Sequence, residues 1–352
     1  MNIIELRRTV DETPDMEKAD TVRYRLKTTA DLAREPSPPW LIVDLLPARG
    51  LAVRYGEPAS GKSFLALDIA AHLARRRYWA GRRTRRAKVV YVALEGHLRD
   101  RVAAYKQHHG LTDADLADLL VVQGQTLNLL DKNTVPALVA DVKAQLADYT
   151  GDLVVVVDTL ARAMPGGSEN ASEDMGRVIE AGAQIERELQ ALVLLIHHSG
   201  KDAARGARGW SGLRGAADAE IVVERDGDRR RASFAKVKDG QDGHAVEFVL
   251  EVVDLGPRDQ MDADADPDER VTSCVAVVTD TQAKPKVADK ALGKNQRLLL
   301  TALRNEGPWS RSQCHDFLRA AGVARNRRHE AVDSLLTAGV IEDTVLGLRA
   351  KT

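Results

Sequence analysis

Apolar and polar positions along the chain alternate between two patterns from Leu51 onward. Short runs that are apolar at nearly every position, such as LAVRY, KVVYVAL, DLVVVVD and ALVLLIHH, alternate with longer segments of helical spacing, such as KSFLALDIAAHLARRR. Strands with this continuous apolar character are typical of a parallel sheet that helices cover on both faces. The pattern therefore predicts an α/β fold built on a mostly parallel sheet.

The pattern changes after Gly215. The segments AEIVVER, RRASFAKVKD, HAVEFVLEVVDL and VTSCVAVVTD predict four successive strands in an antiparallel arrangement. The acidic stretch GPRDQMDADADPDER between the last two has the alternating aspartates of a calcium loop. However, Pro267 stands where such a loop needs its turn glycine, and Ser273 stands where it needs the bidentate glutamate. A solvated hairpin loop is the better interpretation.

Composition shifts along the chain predict four parts. Residues 1–28 are polar and aperiodic, which is typical of a flexible arm. A core follows over residues 29–282, and residues 283–294 have the composition of a linker. Residues 295–352 contain three helical patterns and a short strand-like end, which predicts a small winged-helix domain.

One motif carries specific chemistry, the stretch GEPASGKS between the first predicted strand and the first long helix. It fits G-x-x-x-x-G-K-[ST], in which glycines bend the backbone around phosphate and the helix N-terminus favours negative charge. The lysine reaches the outer phosphates and the serine hydroxyl binds Mg²⁺. The cofactors expected are therefore ATP and Mg²⁺. The residues expected to hold them are Gly56, Glu57, Pro58, Ala59, Ser60, Gly61, Lys62, Ser63 and Phe64.

Two carboxylates at predicted strand ends suit the rest of the reaction. Asp158 ends the buried run LVVVVD and is expected to hold the metal together with Ser63. Thr159 occupies the place where many such proteins carry a catalytic base. We therefore expect Glu95, at the end of VVYVALEG, to orient the attacking water, with Glu57 as a weaker rival.

Adjacent histidines, His197 and His198, end the fourth long strand. Neighbouring side chains on a strand point to opposite faces, so the two do not easily share one metal ion. A histidine at this edge is suited to bind the γ-phosphate and to sense its loss. The alternative is that one of them is a core histidine.

Taken in order, the stretches GEPASGKS, ALEG, VVVVDTLARA and LLIHHSGKD resemble the RepA-type ATPases. These include the hexameric replicative helicase of broad-host-range plasmids and relatives from phages and mobile elements. The resemblance covers residues 38–280 and implies a RecA-like core that assembles as a ring, with ATP between subunits. It assigns the roles given above to Lys62, Ser63, Asp158 and Glu95, and a phosphate sensor to His197 or His198.

The resemblance also implies a basic residue that each subunit supplies to its neighbour's nucleotide. Lys236 and Lys238 lie on a late predicted strand at this place, where the plasmid helicase uses an arginine. This departure leaves other basic residues open as alternatives, and a solvated strand face is the plain interpretation. The alternatives are Arg225, Arg229, Arg230 and Arg231.

Two segments are candidates for contact with single-stranded DNA. In RecA-like rings the loops that face the channel hold the strand, and SGKDAARGARGW carries Lys201, Arg205, Arg208 and flexible glycines at that position. A mobile surface loop has a similar composition. Near the C-terminus, the helix that begins with Arg325, Arg327 and Arg328 reads as a recognition helix, although many winged helices bind proteins instead.

Bulk properties limit the remaining choices. The net charge is −1, so any binding to nucleic acid must come from local patches. Cys274 and Cys314 fall in different predicted domains, which disfavours a disulfide and fits a cytoplasmic protein. No apolar run reaches the length of a membrane span, and the N-terminus has no signal-peptide pattern.

These observations predict an ATP-hydrolysing oligomeric motor that acts on DNA. We expect a hexameric replicative helicase or translocase of a plasmid, phage or mobile element, with single-stranded DNA and other replication proteins as partners and no membrane. Two other classes stay open. One is a DNA-binding regulator that uses ATP as a switch, and the other is a recombination or defence ATPase that does not unwind DNA.

Overall fold

A computed structural model describes residues 26–198, 212–257, 269–280, 293–306, 308–337, 340–344 and 347–350. The chain divides into two compact units, Met1–Pro38 and Pro39–Thr352. In the described part of the first unit there is one short helix, α1, Thr29–Arg34, which a capping box formed by Thr28 and Asp31 begins.

The second unit is built on one large sheet of nine strands. Six neighbouring strands run parallel, and the last three continue the sheet in antiparallel order, as the sequence predicts. Along the sheet, the order of strands is β11-β10-β9-β8-β3-β7-β6-β4-β5. Their bounds are β3 Gly50–Gly56, β4 Ala87–Ala93, β5 Leu119–Gln123, β6 Asp152–Asp158, β7 Ala191–His198, β8 Ala219–Asp226, β9 Arg229–Val237, β10 His244–Pro257 and β11 Arg270–Asp280.

Helices cover both faces of the parallel part, because each parallel connection crosses over a face of the sheet. Those between Pro39 and Lys238 are α2 Lys62–Ala74, α3 Arg99–His109, α4 Thr134–Gln145, α5 Ser172–Leu189 and α6 Gly212–Ala216, with a 3₁₀ turn over Ala114–Leu116. One apolar core joins α2 to the sheet through Leu65 and Ile69, and a second joins α4 and α5 to the opposite face through Val139 and Val178. Alternate residues of each strand feed the two cores.

A small hairpin precedes the sheet. Its strands are β1, Trp40–Ile42, and β2, Leu46–Pro47. Leu41 and Ile42 are fully buried in the α2-side core, so this proline-rich lead-in is part of the folded domain rather than a free linker.

The C-terminal segment has a core of its own. It contains α7 Lys294–Glu306, α8 Arg311–Ala320, α9 Arg325–Thr337 and a hairpin of β12 Ile341–Thr344 and β13 Gly347–Ala350. Leucines and Val332 of the three helices pack together with Leu348 of the hairpin. Three helices followed by a hairpin are compatible with a winged helix, which stays a prediction. Across the described ranges, no helix combines the length and the apolar composition that a membrane span requires.

Candidate functional site

The phosphate loop joins β3 to α2 at the carboxyl edge of the sheet. Gly56 is the last residue of β3, and a Cβ there would lie only 2.1 Å from the carbonyl oxygen of Val223, so no other residue fits. Gly61 precedes α2 with a φ of 90°, in the left-handed region that favours glycine. The Ser60 hydroxyl is buried without a hydrogen-bond partner among the described residues. Glu57, Pro58 and Ala59 are exposed. A cradle with free backbone groups and an unpaired hydroxyl fits a phosphate group.

Lys62 lies folded over this loop. Its Nζ donates hydrogen bonds to the carbonyl oxygens of Gly56, at 2.9 Å, and Glu57, at 2.8 Å. Burial lowers the pKa of Lys62 to about 8, although the charges of Asp158, Glu95 and Glu57 oppose this shift. The ammonium group therefore sits at the mouth of the loop with few other counter-charges, where a phosphate would stabilise it.

We expect nucleotide binding to depend on pH through Lys62. A bound phosphate favours the protonated amine, so binding above a pKa of about 8 must take up a proton. Affinity for ADP should be constant just below that pKa and should fall by up to about tenfold per pH unit above it. Calorimetry in two buffers with different ionisation enthalpies measures the proton uptake directly. Equal affinity on both sides of the pKa, without proton uptake, would separate Lys62 from the phosphates.

Asp158 faces Ser63 across the edge of the sheet. The Ser63 hydroxyl donates to Asp158 Oδ1 at 3.1 Å, and the hydroxyl of buried Tyr91 donates to Asp158 Oδ2 at 2.6 Å. Burial raises the pKa of Asp158, and the two hydrogen bonds oppose that rise. A hydroxyl and a carboxylate oxygen at this spacing fit Mg²⁺, which usually takes one or two protein oxygens and completes its shell with phosphates and water.

Tyr91→Phe should weaken Mg²⁺ binding and make it more sensitive to acid. The phenol lowers the pKa of Asp158, so its loss lets that pKa climb further, and the carboxylate protonates at a higher pH than in the unchanged protein. We expect the apparent Mg²⁺ dissociation constant, titrated with ADP bound, to rise about tenfold or more. Tyr149→Phe is the matched control, because Tyr149 hydrogen-bonds to Lys88 and Asp152 at the other end of the sheet. A similar change in both variants would contradict the prediction.

Glu95 follows β4 and lies beside the strand that ends in Asp158. Ala93 pairs with Asp158 in the sheet, and the Thr159 hydroxyl donates to Glu95 Oε2 at 3.0 Å. Thr159, which occupies the expected position of a base, therefore orients the carboxylate that the sequence proposes for that role. The second oxygen of Glu95 has no hydrogen bond among the described residues.

The two histidines lie on opposite faces, as the strand period predicts. His198 pairs with Gly56 of the phosphate loop, and burial together with the charge of Lys62 lowers the pKa of His198, so its imidazole is neutral at pH 7. His197 is fully buried on the other face, with Nδ1 at 3.7 Å from Glu169. The structure thus brings His198, and not His197, towards Lys62 and Glu95.

Arg54 was missed by motif reasoning, although a charged residue inside the apolar strand LAVRY is a visible signal. Its side chain is fully buried beneath the first turn of α2, and Nη1 donates to the carbonyl oxygen of Lys62 at 3.3 Å. Burial lowers the pKa of Arg54 to about 10, while Tyr91, Asp158 and Asp68 oppose the shift. This guanidinium supports the backbone of Lys62 and adds positive charge behind the metal-binding oxygens.

A second basic group, Arg101 of α3, was also missed. Its guanidinium lies 4.8 Å from the centroid of the Phe64 ring, which is close enough for a cation–π contact. The charge of Arg101 lowers the pKa of Asp158. Phe64 therefore supports a cation beside the site from the helix that follows the phosphate loop.

The two lysines proposed as trans-acting groups differ in their surroundings. Lys236 donates hydrogen bonds to three carbonyl oxygens at the end of α6, those of Arg214, Gly215 and Ala217. Lys238 binds Asp218 at 3.0 Å, and 65% of its side chain is exposed. Of the pair, Lys238 is the one available to a neighbouring molecule, and Lys236 stabilises the end of a helix in its own chain.

The residues proposed for DNA fall into two groups. Lys201, Arg205 and Arg208 lie outside the described residues. Arg325, Arg327 and Arg328 occupy the first turn of α9, where the first two are exposed and the third is partly buried. The basic surface predicted for this helix is therefore present on its N-terminal turn.

A family model described as an AAA domain matches residues 18–204, more than half of the chain and a range that contains Lys62, Glu95, Asp158 and His198. The chain belongs to the AAA domain family. The resemblance to RecA-like AAA ATPases that the sequence suggests is thereby confirmed. This AAA domain is of the P-loop ATPase type.

Solved structures also match this AAA domain. The ATPase domain of a helicase has a TM-score of 0.44 and 14% sequence identity, covering 58% of this chain and 82% of its own. The crystal structure of the RadB recombinase has a TM-score of 0.42 and 19% identity, covering 57% of this chain and 87% of its own. No residue role is taken from either. A search of curated proteins gives no match.

Proposed function

We propose that this AAA domain is an ATP-hydrolysing oligomeric motor that acts on DNA, in the manner of a RepA-like replicative helicase or translocase. The observation that carries the proposal is the grouping of Ser63, Asp158 and Glu95 around the phosphate loop. Asp158 lies 3.1 Å from Ser63, and the Glu95 carboxylate is held by the neighbour of Asp158 in the chain. A metal-binding pair beside a separately held carboxylate suits hydrolysis rather than nucleotide binding alone.

Each residue has a defined task in this proposal. Backbone amides of the loop and the N-terminus of α2 bind the β-phosphate, and Lys62 leaves its two carbonyl partners to bind the outer phosphates. When bound between Ser63 and Asp158, Mg²⁺ neutralises charge on the phosphates. Glu95 accepts a hydrogen bond from the attacking water and takes its proton as the bond to the γ-phosphorus forms. Neutral His198 donates a hydrogen bond to that phosphate.

Assembly supplies what one chain lacks in this scheme. Charge that develops in the transition state is best stabilised by a cation that arrives from outside the site. Lys238 is exposed and close to the parallel core through Asp218, which suits contact with an adjacent subunit. Repetition of a weak DNA site around a ring would raise the overall affinity.

The test is an ATPase assay with forked duplex DNA, combined with mass measurement with and without a non-hydrolysable ATP analogue. The motor predicts DNA-stimulated turnover, strand separation or translocation, and a closed oligomer whose mass is stabilised by the analogue. Stimulation without unwinding or translocation would move the protein to the recombination or defence class. Nucleotide binding with negligible turnover would favour a switch.

One observation favours the regulator as the second candidate. The C-terminal helices have their own core and present Arg325 and Arg327 on an exposed first turn. A DNA-binding segment of this kind serves a regulator as well as a motor. Binding to duplex DNA that persists in Lys62→Ala, together with little ATP turnover in the unchanged protein, would support that candidate.

A further inference from the structure

The hairpin of β8 and β9 extends past the phosphate loop of its own chain. Val223 of β8 pairs with Gly56, the last residue of β3, so the residues that follow project beyond the edge of the sheet. There, Arg225 pairs with Arg230 directly across the two strands. Residues that face each other in an antiparallel pair share one face, so two guanidinium groups stand side by side next to the loop.

Arg230 is packed against the loop itself. A Cβ built on Gly61 would lie 3.0 Å from Cδ and 3.3 Å from Nε of Arg230, and 3.1 Å from Cε2 of Phe248. Phe248 pairs with Arg230 from β10 and holds its stem in place. The side chain of Arg230 therefore reaches the point where α2 begins.

The charges of this pair are not balanced by carboxylates. Arg230 is only 8% exposed, its Nη1 donates to the carbonyl oxygen of Asp228 at 2.7 Å, and its Nε is buried without a hydrogen-bond partner. Burial and the charge of Arg225 lower the pKa of Arg230, which the nearby Asp228 opposes. Within the described part of the chain, neither arginine forms an ion pair. Like charges placed opposite each other are unfavourable, and so is a buried charge without a counter-ion.

An anion at this place would satisfy all three positive groups. The third is the N-terminus of α2, whose free amides favour negative charge beside Gly61. Arg225 also lines a cavity of about 120 Å³ together with Gly56 and Glu57 of the loop. The unsatisfied groups of the hairpin thus converge on the phosphate loop of the same subunit.

We propose that Arg230, supported by Arg225, binds a phosphate group of the nucleotide held by the phosphate loop of its own chain. The inference rests on the proposed nucleotide site and adds a second anchor to it. It also changes the place of Arg230 in the scheme, from an alternative trans-acting group to a residue that acts within its own subunit. The fork geometry of arginine suits this contact better than a lysine does.

Binding of ADP by purified variants tests the contact. We expect Arg230→Ala to weaken ADP binding about tenfold to a hundredfold, and Arg230→Lys to weaken it less. Arg85→Ala removes the same charge at the far end of β4, where Arg85 pairs with Asp152, and should leave ADP affinity unchanged. Thermal melting checks that each variant is folded, and the lysine variant carries the test if the alanine variant is not.

Mixing variants separates the two subunit assignments. Lys62→Ala subunits keep Arg230, so they would restore turnover in mixed oligomers with Arg230→Ala subunits if Arg230 acted on a neighbour's nucleotide. Action within the subunit predicts no recovery at any mixing ratio.

The possible failures are distinguishable. If the unchanged protein binds no ADP, the proposed nucleotide site fails. If it binds ADP and Arg230→Ala binds equally well, only the present inference is overturned. Unchanged ADP affinity together with weaker DNA binding would assign the arginine pair to nucleic acid instead, and recovery on mixing would assign it to the neighbouring subunit.

Discussion

Replacement of Lys62 by alanine is expected to abolish nucleotide turnover. The ammonium group lies over the phosphate loop on two of its carbonyl oxygens and is the cation placed to follow charge onto the outer phosphates. Loss of one such group from a preorganised site lowers turnover by at least about a hundredfold. The measurement is phosphate release at saturating ATP, with and without DNA.

Lys88→Ala is the matched control for this variant. Lys88 is a partly buried lysine at the opposite end of the sheet, 3.5 Å from Asp118, and its loss removes the same charge far from the loop. Turnover in that variant should stay within the range of the unchanged protein. Normal turnover in Lys62→Ala would remove the basis for placing a nucleotide at this strand-to-helix turn.

The second large effect is expected for Glu95→Gln, which should keep nucleotide affinity and lose hydrolysis by about 10²- to 10⁴-fold. Glutamine has the same shape and still accepts the hydrogen bond that Thr159 donates to Glu95 at 3.0 Å. It cannot take a proton from the attacking water. ADP affinity by calorimetry and ATP turnover by phosphate release should therefore respond differently to the same substitution.

Glu57→Gln distinguishes the two carboxylates considered for this role. Glu57 is exposed in the phosphate loop, where its backbone carbonyl, rather than its side chain, contacts Lys62. Its substitution should leave turnover nearly intact. Full activity in Glu95→Gln with loss of activity in Glu57→Gln would transfer the base to the loop and overturn the present assignment.

Local patterns were sufficient for the elements and for the order in which they occur. Strands apolar at every position predicted the parallel part of the sheet, and the switch after Gly215 predicted the antiparallel strands; both are confirmed. The motif at Gly56 to Ser63 located the loop because its chemistry needs fixed residue types at a fixed spacing. The period of two placed His197 and His198 on opposite faces, but it did not say which face held the phosphate loop.

The sequence by itself thus determined the secondary structure, the phosphate loop and a short set of polar residues at strand ends, because these depend on residues that are close in the chain. Only the tertiary structure decided which of them meet. Ser63 and Asp158 are 95 residues apart, and their contact exists because β6 and β3 flank β7 in the sheet. The same long-range strand order buries Arg54 beneath α2 and lays Arg230 against Gly61, since side-chain contacts across a sheet follow from strand pairing and not from periodicity.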